Sequence, residues 1–450
     1  MRQGTHEGGD QTVVENRRSG TLQHIAFFIP SLAGGGVERV ILNLAGAFVA
    51  RGYRVDLVVC QLKGPYQNQV PKGVTVIDLK ATPSGWFARA YILAADPRGF
   101  VALLRPVLLP VKSWKRFRYL PSLIRYLRHE RPDVLLSAMT HVNLMALWAR
   151  RLARVSTRVV VSEHITKARA MKEEPKKKRW YWRFLPPVVQ RTYRWADAII
   201  AVSAGVAEDL SLLTDIPRKC ITTIYNPIVT PELQQKAQVR LDHPWFIPDA
   251  PPVVLAVGRL RTQKDFPTLI RAFARSRAVR KMRLMILGGG KDERRDTQDK
   301  AQLLALADQL GVGDEVVLPG FVENPFAYMA RAAVFVLSSA WEGFGNVIVE
   351  ALACGCPVVS TDCPSGPAEI LENGKYGPLV PVGDDVALAD AILSVLSTPP
   401  DQDQLRTRSA LFSVDQVAEQ YLEVLRSLMS KRAKRFSARS LIESFLPKVG

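Results

Sequence analysis

The chain has 450 residues, 47% of them hydrophobic, with 61 lysines and arginines against 42 aspartates and glutamates. This length predicts two or three domains with well-formed hydrophobic cores. No apolar run approaches the roughly 18 residues of a membrane-spanning helix, which argues against a transmembrane protein. The polar residues 1–21 lack an apolar stretch and predict a disordered tail, not a signal peptide. Five cysteines in this length are typical of a reducing compartment.

The positive charge is concentrated in one fifth of the chain. Residues 105–194 carry 22 lysines and arginines against 5 acidic residues, which is nearly all of the net charge of +19. Aromatic residues are interleaved with these cations, and residues 165–195 have the pattern of a basic amphipathic insertion. Such a surface suits an anionic membrane. A solvated basic face and a nucleic-acid surface are the alternatives; we favour the membrane and expect no nucleic-acid partner.

Apolar runs typical of buried strands alternate with helical stretches, and the pattern occurs twice. It predicts two doubly wound parallel α/β domains that face a cleft. We place the first domain at residues 22–240 and the second at 250–412, after a connector with four prolines. A C-terminal helix with a basic tail is placed at 413–450, with the helical pattern running from residue 414 to 432. Strands are predicted, in chain order, at residues 24–29, 54–60, 134–137, 158–162, 198–202, 253–257, 284–287, 315–318, 334–337 and 357–360.

The first strand leads into a glycine-rich turn. The glycines Gly34–Gly36 let backbone amides approach a phosphate without a clash from a side chain. The turn is not a dinucleotide fingerprint, because Arg39 stands where the third glycine belongs. The next strand also ends at Gln61, without the acidic residue that would hold a ribose. A nicotinamide-dependent enzyme is therefore disfavoured.

Two carboxylates bracket a second glycine turn, in residues 341–350. Glu342 is expected in the loop at the carboxyl end of the strand 334–337, and Glu350 near the start of a helix with Asn346 as its N-cap. The loop amides favour an anionic group, and carboxylates accept hydrogen bonds from hydroxyls. Phosphate next to hydroxyl groups describes a sugar nucleotide.

Cations follow a neighbouring strand at the same sheet edge. Arg259 and Lys264, after the strand 253–257, are suited to a diphosphate. The only Asp-x-Asp pair, at 401–403, lies in a polar connector, so we expect fixed cations and helix N-termini in place of a metal.

A histidine and a cluster of cysteines are further candidate residues. His164 follows the strand 158–162 and is placed to contact a sugar or orient an acceptor, although a lone histidine at a strand end is more often structural. Cys354, Cys356 and Cys363 are expected to be small buried side chains and not metal ligands.

Together these motifs resemble the large retaining glycosyltransferase family with GT-B architecture, described by its group 1 domain. The resemblance covers about residues 22–430 and implies two Rossmann-like domains, with a C-terminal helix that crosses back to the first. It is carried by residues 34–39, 196–203, 225–227, 258–264, 342–351, 356–361 and 374–380.

The resemblance also implies roles for individual residues. Glu350 would bind the nucleotide ribose and Glu342 the donor sugar. The diphosphate would be held by Arg259 and Lys264, with Gly35 and Gly36 meeting it across the cleft, and His164 would lie near the transferred sugar. The turn residues Gly343, Phe344, Gly345 and Asn346 complete the expected nucleotide site. Asp265 departs from the family, which commonly has Gly or Asn after the lysine.

Residues 362–370 are similar to members that extend lipid-linked bacterial glycans, often with UDP-N-acetylhexosamines. We therefore expect a retaining transferase on the inner face of the cell membrane, moving a sugar from UDP or another nucleotide to a lipid-linked or nascent polysaccharide acceptor. The donor is a substrate, and no cofactor is expected. The alternatives are a sugar-nucleotide epimerase or hydrolase on the same architecture and, from another class, a basic nucleic-acid-binding protein.

Overall fold

The computed structural model of the protein describes residues 21–82, 85–108, 117–166, 184–289 and 293–444. The tail predicted at 1–21 falls almost entirely outside these ranges. So do residues 167–183, the greater part of the basic insertion predicted at 165–195, and the last six residues of the chain.

The first domain is built on a parallel sheet of seven strands. Their order across the sheet is β3-β2-β1-β4-β5-β6-β7, and every adjacent pair is parallel. The strands are β1 His24–Ser31, β2 Arg54–Gln61, β3 Val74–Asp78, β4 Val134–Ala138, β5 Arg158–Glu163, β6 Ala198–Ala201 and β7 Ile221–Thr223. The central strands are buried on both faces, as their nearly continuous apolar sequences require.

A second parallel sheet of six strands forms the other domain, in the order β10-β9-β8-β11-β12-β13. The strands are β8 Val253–Val257, β9 Arg283–Leu287, β10 Val316–Gly320, β11 Val334–Leu337, β12 Val358–Thr361 and β13 Leu379–Val380. Both sheets thus follow the doubly wound order, with switch points between β1 and β4 and between β8 and β11. The predicted architecture of two Rossmann-like domains is confirmed.

Helices cover the faces of both sheets. Those of the first sheet and its connections are α1 Gly36–Ala50, α2 Gly85–Ala95, α3 Phe100–Leu103, α4 Leu120–Glu130, α5 Thr140–Ala153, α6 Leu185–Tyr193, α7 Ala204–Thr214 and α8 Pro231–Gln238. Those of the second are α9 Phe266–Val279, α10 Glu293–Gln309, α11 Pro325–Met329, α12 Asn346–Ala353, α13 Pro367–Ile370, α14 Asp385–Ser397 and α15 Gln402–Ala410. Among the described residues, no helix combines the length and apolarity needed to cross a bilayer.

The last helix, α16 Val414–Ser444, returns to the first domain, as expected. Near its start Asp415 pairs with Arg51 of α1 at 2.9 Å, and further along Arg426 donates to the hydroxyl of Tyr53 at 3.0 Å. Its apolar residues join the hydrophobic core of the first domain. The helix extends beyond the predicted end at residue 432, because the charged residues that follow lack an apolar periodicity.

Candidate active site

The loops at the carboxyl ends of the two sheets meet directly. Three side chains of the first domain hold the turn that follows β11 in the second. Thr166 Oγ1 donates to the carbonyl of Glu342 at 3.0 Å, and Ser203 Oγ to that of Gly343 at 2.7 Å. Asn226 Nδ2 donates to Asn346 Oδ1 at 2.8 Å. We call this contact between the loops of the two domains the seam.

Glu342 and Lys264 form an ion pair at the seam. The Nζ of Lys264, in the turn after β8, lies 2.7 Å from Glu342 Oε1, which also accepts a hydrogen bond from Ser339 Oγ at 2.7 Å. The strands β8 and β11 that carry the two residues are neighbours in the sheet. The pair therefore places an oriented carboxylate and a cation at one point of the sheet edge.

Arg259 lies in the same turn as Lys264 and is exposed. Within the described part of the chain its guanidinium has no hydrogen bond or ion pair, so it is available to an anion. Asp265 adopts left-handed backbone angles, φ 44° and ψ 47°. That conformation favours Gly and Asn and is tolerated by Asp, which explains how this departure from the family pattern fits the turn.

Glu350 is buried and is paired with a residue that the sequence analysis did not place in the site. Arg39 Nη1, from α1 of the first domain, lies 2.8 Å from Glu350 Oε1, and its Nη2 donates to the hydroxyl of Tyr66 at 3.1 Å. Burial of the guanidinium lowers the pKa of Arg39, but the interactions with Glu350 and Tyr66 raise it by more. The pKa of Arg39 is therefore above its ordinary value. The expected ribose ligand is thus held from the opposite domain.

The first turns of α1 and α12 lie side by side at the seam. A Cβ on Gly36 would be 3.1 Å from Asn346 Nδ2, and one on Gly35 would be 2.5 Å from Glu38 Oε2. The prediction of Asn346 as N-cap is wrong: Gly345, with φ 97°, occupies that position, and Asn346 is the first helical residue. Its side chain contacts Asn226 instead, so the α12 amides are left uncapped by side chains.

The other two turn residues have structural contacts. A Cβ on Gly343 would clash with the carbonyl oxygen of His164, so the two domains can approach this closely only with glycine there. The ring of Phe344 stacks on Tyr225 with centroids 5.4 Å apart and meets Phe412 edge-on at 5.5 Å. The side chain of Phe344 is therefore held in an aromatic cluster and is buried.

His164 is buried next to the seam. One ring nitrogen, Nε2, lies 3.0 Å from Ser162 Oγ, and burial lowers the pKa of the imidazole to about 4. The preceding residue, Glu163, is also buried and is hydrogen-bonded to Tyr193 and, at 3.2 Å, to Thr140 Oγ1. At neutral pH His164 is therefore uncharged and can contribute only hydrogen bonds.

A second polar contact across the seam was not anticipated. Glu369, in α13 of the second domain, accepts hydrogen bonds from the amides of Ala204 and Gly205 at 2.7 and 3.0 Å. These amides begin α7 of the first domain, where a carboxylate is favoured. Beside them Ser203 Oγ lies 2.6 Å from Ser365 Oγ. The contacts join residues about 160 positions apart, so no local sequence pattern predicts them.

The three clustered cysteines Cys354, Cys356 and Cys363 are buried, as expected. Burial raises the pKa of the thiols of Cys354 and Cys363 to about 12, so both are neutral apolar side chains at pH 7. Across the described ranges, no group of three His, Cys, Asp or Glu residues is arranged to hold a metal ion.

The buried imidazole of His164 predicts a specific loss of stability in acid. In the folded protein the pKa of His164 is about 4, whereas an exposed histidine of the unfolded chain has a pKa of about 6.5. Because the unfolded chain takes up a proton first as the pH falls, the free energy of unfolding is highest above pH 6.5 and decreases towards pH 4. We expect the wild type to lose about 3 kcal/mol more than His164→Gln over this range. Urea unfolding of both proteins at several pH values measures the difference; parallel pH profiles would contradict the assignment.

Comparison with known proteins identifies the family of the chain. The profile of the family described as "Glycosyl transferases group 1" matches residues 240–411, and that of "Glycosyltransferase Family 4" matches residues 34–231. Over 417 residues the chain is 30% identical to a Campylobacter jejuni protein, across 90% of this chain and all of the relative. That relative is an N-acetylgalactosamine-N,N'-diacetylbacillosaminyl-diphospho-undecaprenol 4-alpha-N-acetylgalactosaminyltransferase.

Solved structures share the fold. The lipopolysaccharide outer core galactosyltransferase WaaB, in its apo form, is 20% identical with a TM-score of 0.64, covering 90% of this chain and 99% of WaaB. Anabaena HepE in complex with UDP is 19% identical with a TM-score of 0.64, covering 90% of this chain and all of HepE. The chain therefore belongs to the group 1 glycosyltransferase family and has its two-domain GT-B fold.

Proposed function

We propose that this protein is a retaining, metal-independent glycosyltransferase that uses a nucleotide-diphosphate sugar, UDP-linked, as donor. The observation that carries the proposal is the arrangement at the edge of the second sheet. There the Lys264–Glu342 ion pair, the exposed Arg259 and the buried Glu350 lie in the loops after β8 and β11 and in helix α12. Cations beside carboxylates match a donor with a diphosphate between two groups that carry hydroxyls.

The protein's part in the reaction is electrostatic. In a retaining transfer the acceptor hydroxyl approaches the face from which the diphosphate departs, and a diphosphate oxygen helps to remove the hydroxyl proton. Arg259 and Lys264 stabilise the negative charge that develops as the glycosidic bond breaks. One such group typically contributes about 3 kcal/mol, or about a hundredfold in rate. Neutral His164 donates or accepts one hydrogen bond beside the sugar.

The proposed acceptor is a lipid-linked or nascent bacterial polysaccharide. Support comes from the Campylobacter relative, whose name specifies an alpha-linked N-acetylgalactosaminyl transfer onto a diphospho-undecaprenol-linked saccharide. An N-acetylhexosamine or a hexose is accordingly the proposed transferred sugar. UDP is proposed as the carrier because HepE, which has the same fold, was solved with UDP bound.

The first test replaces the two members of the Lys264–Glu342 pair. Glu342→Gln and Lys264→Ala should each lower the rate of transfer about a hundredfold while the variants keep the fold, which thermal unfolding checks. The exposed Lys375–Glu372 pair, 3.1 Å apart in the same domain, supplies the controls Glu372→Gln and Lys375→Ala, which should turn over as the wild type does. The readout is transfer from a panel of UDP-sugars to a diphospho-undecaprenol-linked acceptor, with and without EDTA.

Unchanged turnover in both site variants would refute the proposed site, and loss of activity with EDTA that manganese restores would refute metal independence.

A parallel incubation without acceptor separates the rival enzymes, since an epimerase yields an altered nucleotide sugar and a hydrolase a free sugar. Binding of duplex or single strands that falls steeply with salt, without affinity for nucleotide sugars, would instead indicate a nucleic-acid-binding protein.

We further propose that the first domain docks on the anionic inner face of the cell membrane. The excess of cations in residues 105–194 supports this, as does the exposure of Tyr91, Phe100 and Val101 just before that stretch. Each cation near such a surface contributes roughly 1 kcal/mol. The protein should float with anionic vesicles at low salt and dissociate as salt is raised. Failure to bind, or equal binding to neutral vesicles, would refute this docking.

A further inference from the structure

The carboxylate of Glu342 receives hydrogen bonds on both of its oxygens. Lys264 Nζ and Ser339 Oγ each lie 2.7 Å from Oε1. The other oxygen, Oε2, lies 3.4 Å from Nε2 of Gln263, the residue before Lys264 in the turn after β8. Within the described ranges Gln263 is the one donor to Oε2, so the two oxygens depend on different residues for their support.

The amide of Gln263 bridges two acceptors of the loop after β11. Its Nε2 donates to the carbonyl of Trp341 at 2.9 Å as well as to Glu342 Oε2. A carbonyl and an ionised carboxylate only accept hydrogen bonds, so the nitrogen of the amide, and not its oxygen, has to face them. The shorter bond to the carbonyl holds the amide group, and the held amide presents its second N–H to the carboxylate.

The two loops are also joined in ways that do not use this side chain. Ala340 N donates to the carbonyl of Gln263 at 2.8 Å, and Ser338 Oγ donates to the carbonyl of Lys264 at 2.7 Å. The side chain of Gln263 is itself only partly buried. A substitution that keeps its length should therefore change the contact with Glu342 without separating the loops.

Gln263 restrains a rotation that the other two donors leave open. The last torsion of a glutamate side chain, which turns the plane of the carboxylate, has broad energy minima. Because Lys264 and Ser339 both bind Oε1, they fix the place of that oxygen more tightly than the place of Oε2. A donor on Oε2 fixes a second point of the plane. The orientation of a group that contacts a reacting sugar affects the rate strongly.

We propose that Gln263 is a positioning residue for sugar transfer: it acts through Glu342, by fixing the plane of the carboxylate that binds the donor sugar. The inference rests on the proposed function, in which Glu342 contacts the hydroxyls of that sugar. The nucleotide contacts proposed for Arg259 and Glu350 do not pass through Gln263. Loss of its amide should therefore slow transfer from a UDP-sugar and leave the binding of UDP itself unchanged.

The test uses two substitutions of Gln263 in two backgrounds. Gln263→Met keeps the length of the side chain and removes the donor, whereas Gln263→Glu keeps the shape and turns an acceptor towards Glu342. Each is made in the wild type and in Glu342→Ala, which has no carboxylate left to position. The matched control is Gln402→Met, at an exposed glutamine on the first turn of α15 that contacts Arg406 at 3.2 Å.

Three quantities are measured on each variant: kcat and KM for transfer from a UDP-sugar, the Kd for UDP by calorimetry, and the thermal unfolding that checks the fold. In the wild-type background we expect Gln263→Met to lower kcat about tenfold, the effect of one hydrogen bond to a charged group, and Gln263→Glu to lower it further. The Kd for UDP of Gln263→Met, and all values for Gln402→Met, should match the wild type.

In the Glu342→Ala background neither substitution of Gln263 should lower kcat further, because the effects of residues that act through one another do not add. An equal loss in both backgrounds, an unchanged kcat in the wild-type background, or a loss of UDP affinity in Gln263→Met would overturn the inference. If Glu342→Ala by itself transfers as the wild type does, the proposed site is wrong, which is a distinct result.

Discussion

The structure depends on how buried charge is balanced where the two domains meet. Glu350 is enclosed in the second domain, yet its hydrogen-bonded partner in the described structure, Arg39, belongs to the first. Glu342, in the loop that precedes the helix of Glu350, is paired within its own domain with Lys264. One carboxylate thus ties the domains together while the other remains oriented whatever their separation. Neither domain by itself presents the complete set of groups expected for a donor.

The seam is suited to opening because its contacts are mainly polar. Backbone carbonyls, hydroxyls and amides meet across it, together with Glu369 at the first turn of α7. Water can replace such hydrogen bonds at small net cost, since each contributes only about 1 kcal/mol. The return of α16 to the first domain gives apolar contacts away from these loops that keep the halves associated, whereas the stack of Phe344 on Tyr225 lies at the seam itself. Polar contacts at the loops and an apolar attachment elsewhere are what an opening between the two domains would require.

The fold was predictable because each strand and turn has a local sequence pattern. Apolar runs such as Val334–Leu337 and the glycine turns after them identify buried parallel strands and the sheet edge that binds ligands. The three strands that were missed, β3, β7 and β13, are partly exposed or only two or three residues long, so they carry little periodicity. The final helix was cut short for a similar reason, since its last part is rich in charge.

The candidate site was predictable in part. Glu342, Lys264 and Glu350 were predicted as site residues because the segments that contain them each follow a strand. The structure brings Glu342 and Lys264 together. The partner of Glu350 was not found, because Arg39 was assessed only as a substitute for a glycine. Asn346 was misassigned because it is a common N-cap residue, whereas the positive φ of Gly345 moves the helix start by one residue. Side-chain pairs that join the two domains depend on how the domains lie relative to each other, and no short stretch of sequence determines this.

Because the loops of the two domains touch, a donor bound between the domains, as proposed, can enter only when the seam opens. Ser203 and Ser365 face each other across it with their hydroxyl oxygens 2.6 Å apart, so a cysteine at each position is placed to form a disulfide. Turnover of this double variant should be measured oxidised and reduced, with the wild type treated in parallel. The account predicts that the oxidised form is inactive, that reductant restores turnover, and that the wild type is indifferent to both treatments. Equal turnover in the fully cross-linked form would contradict it.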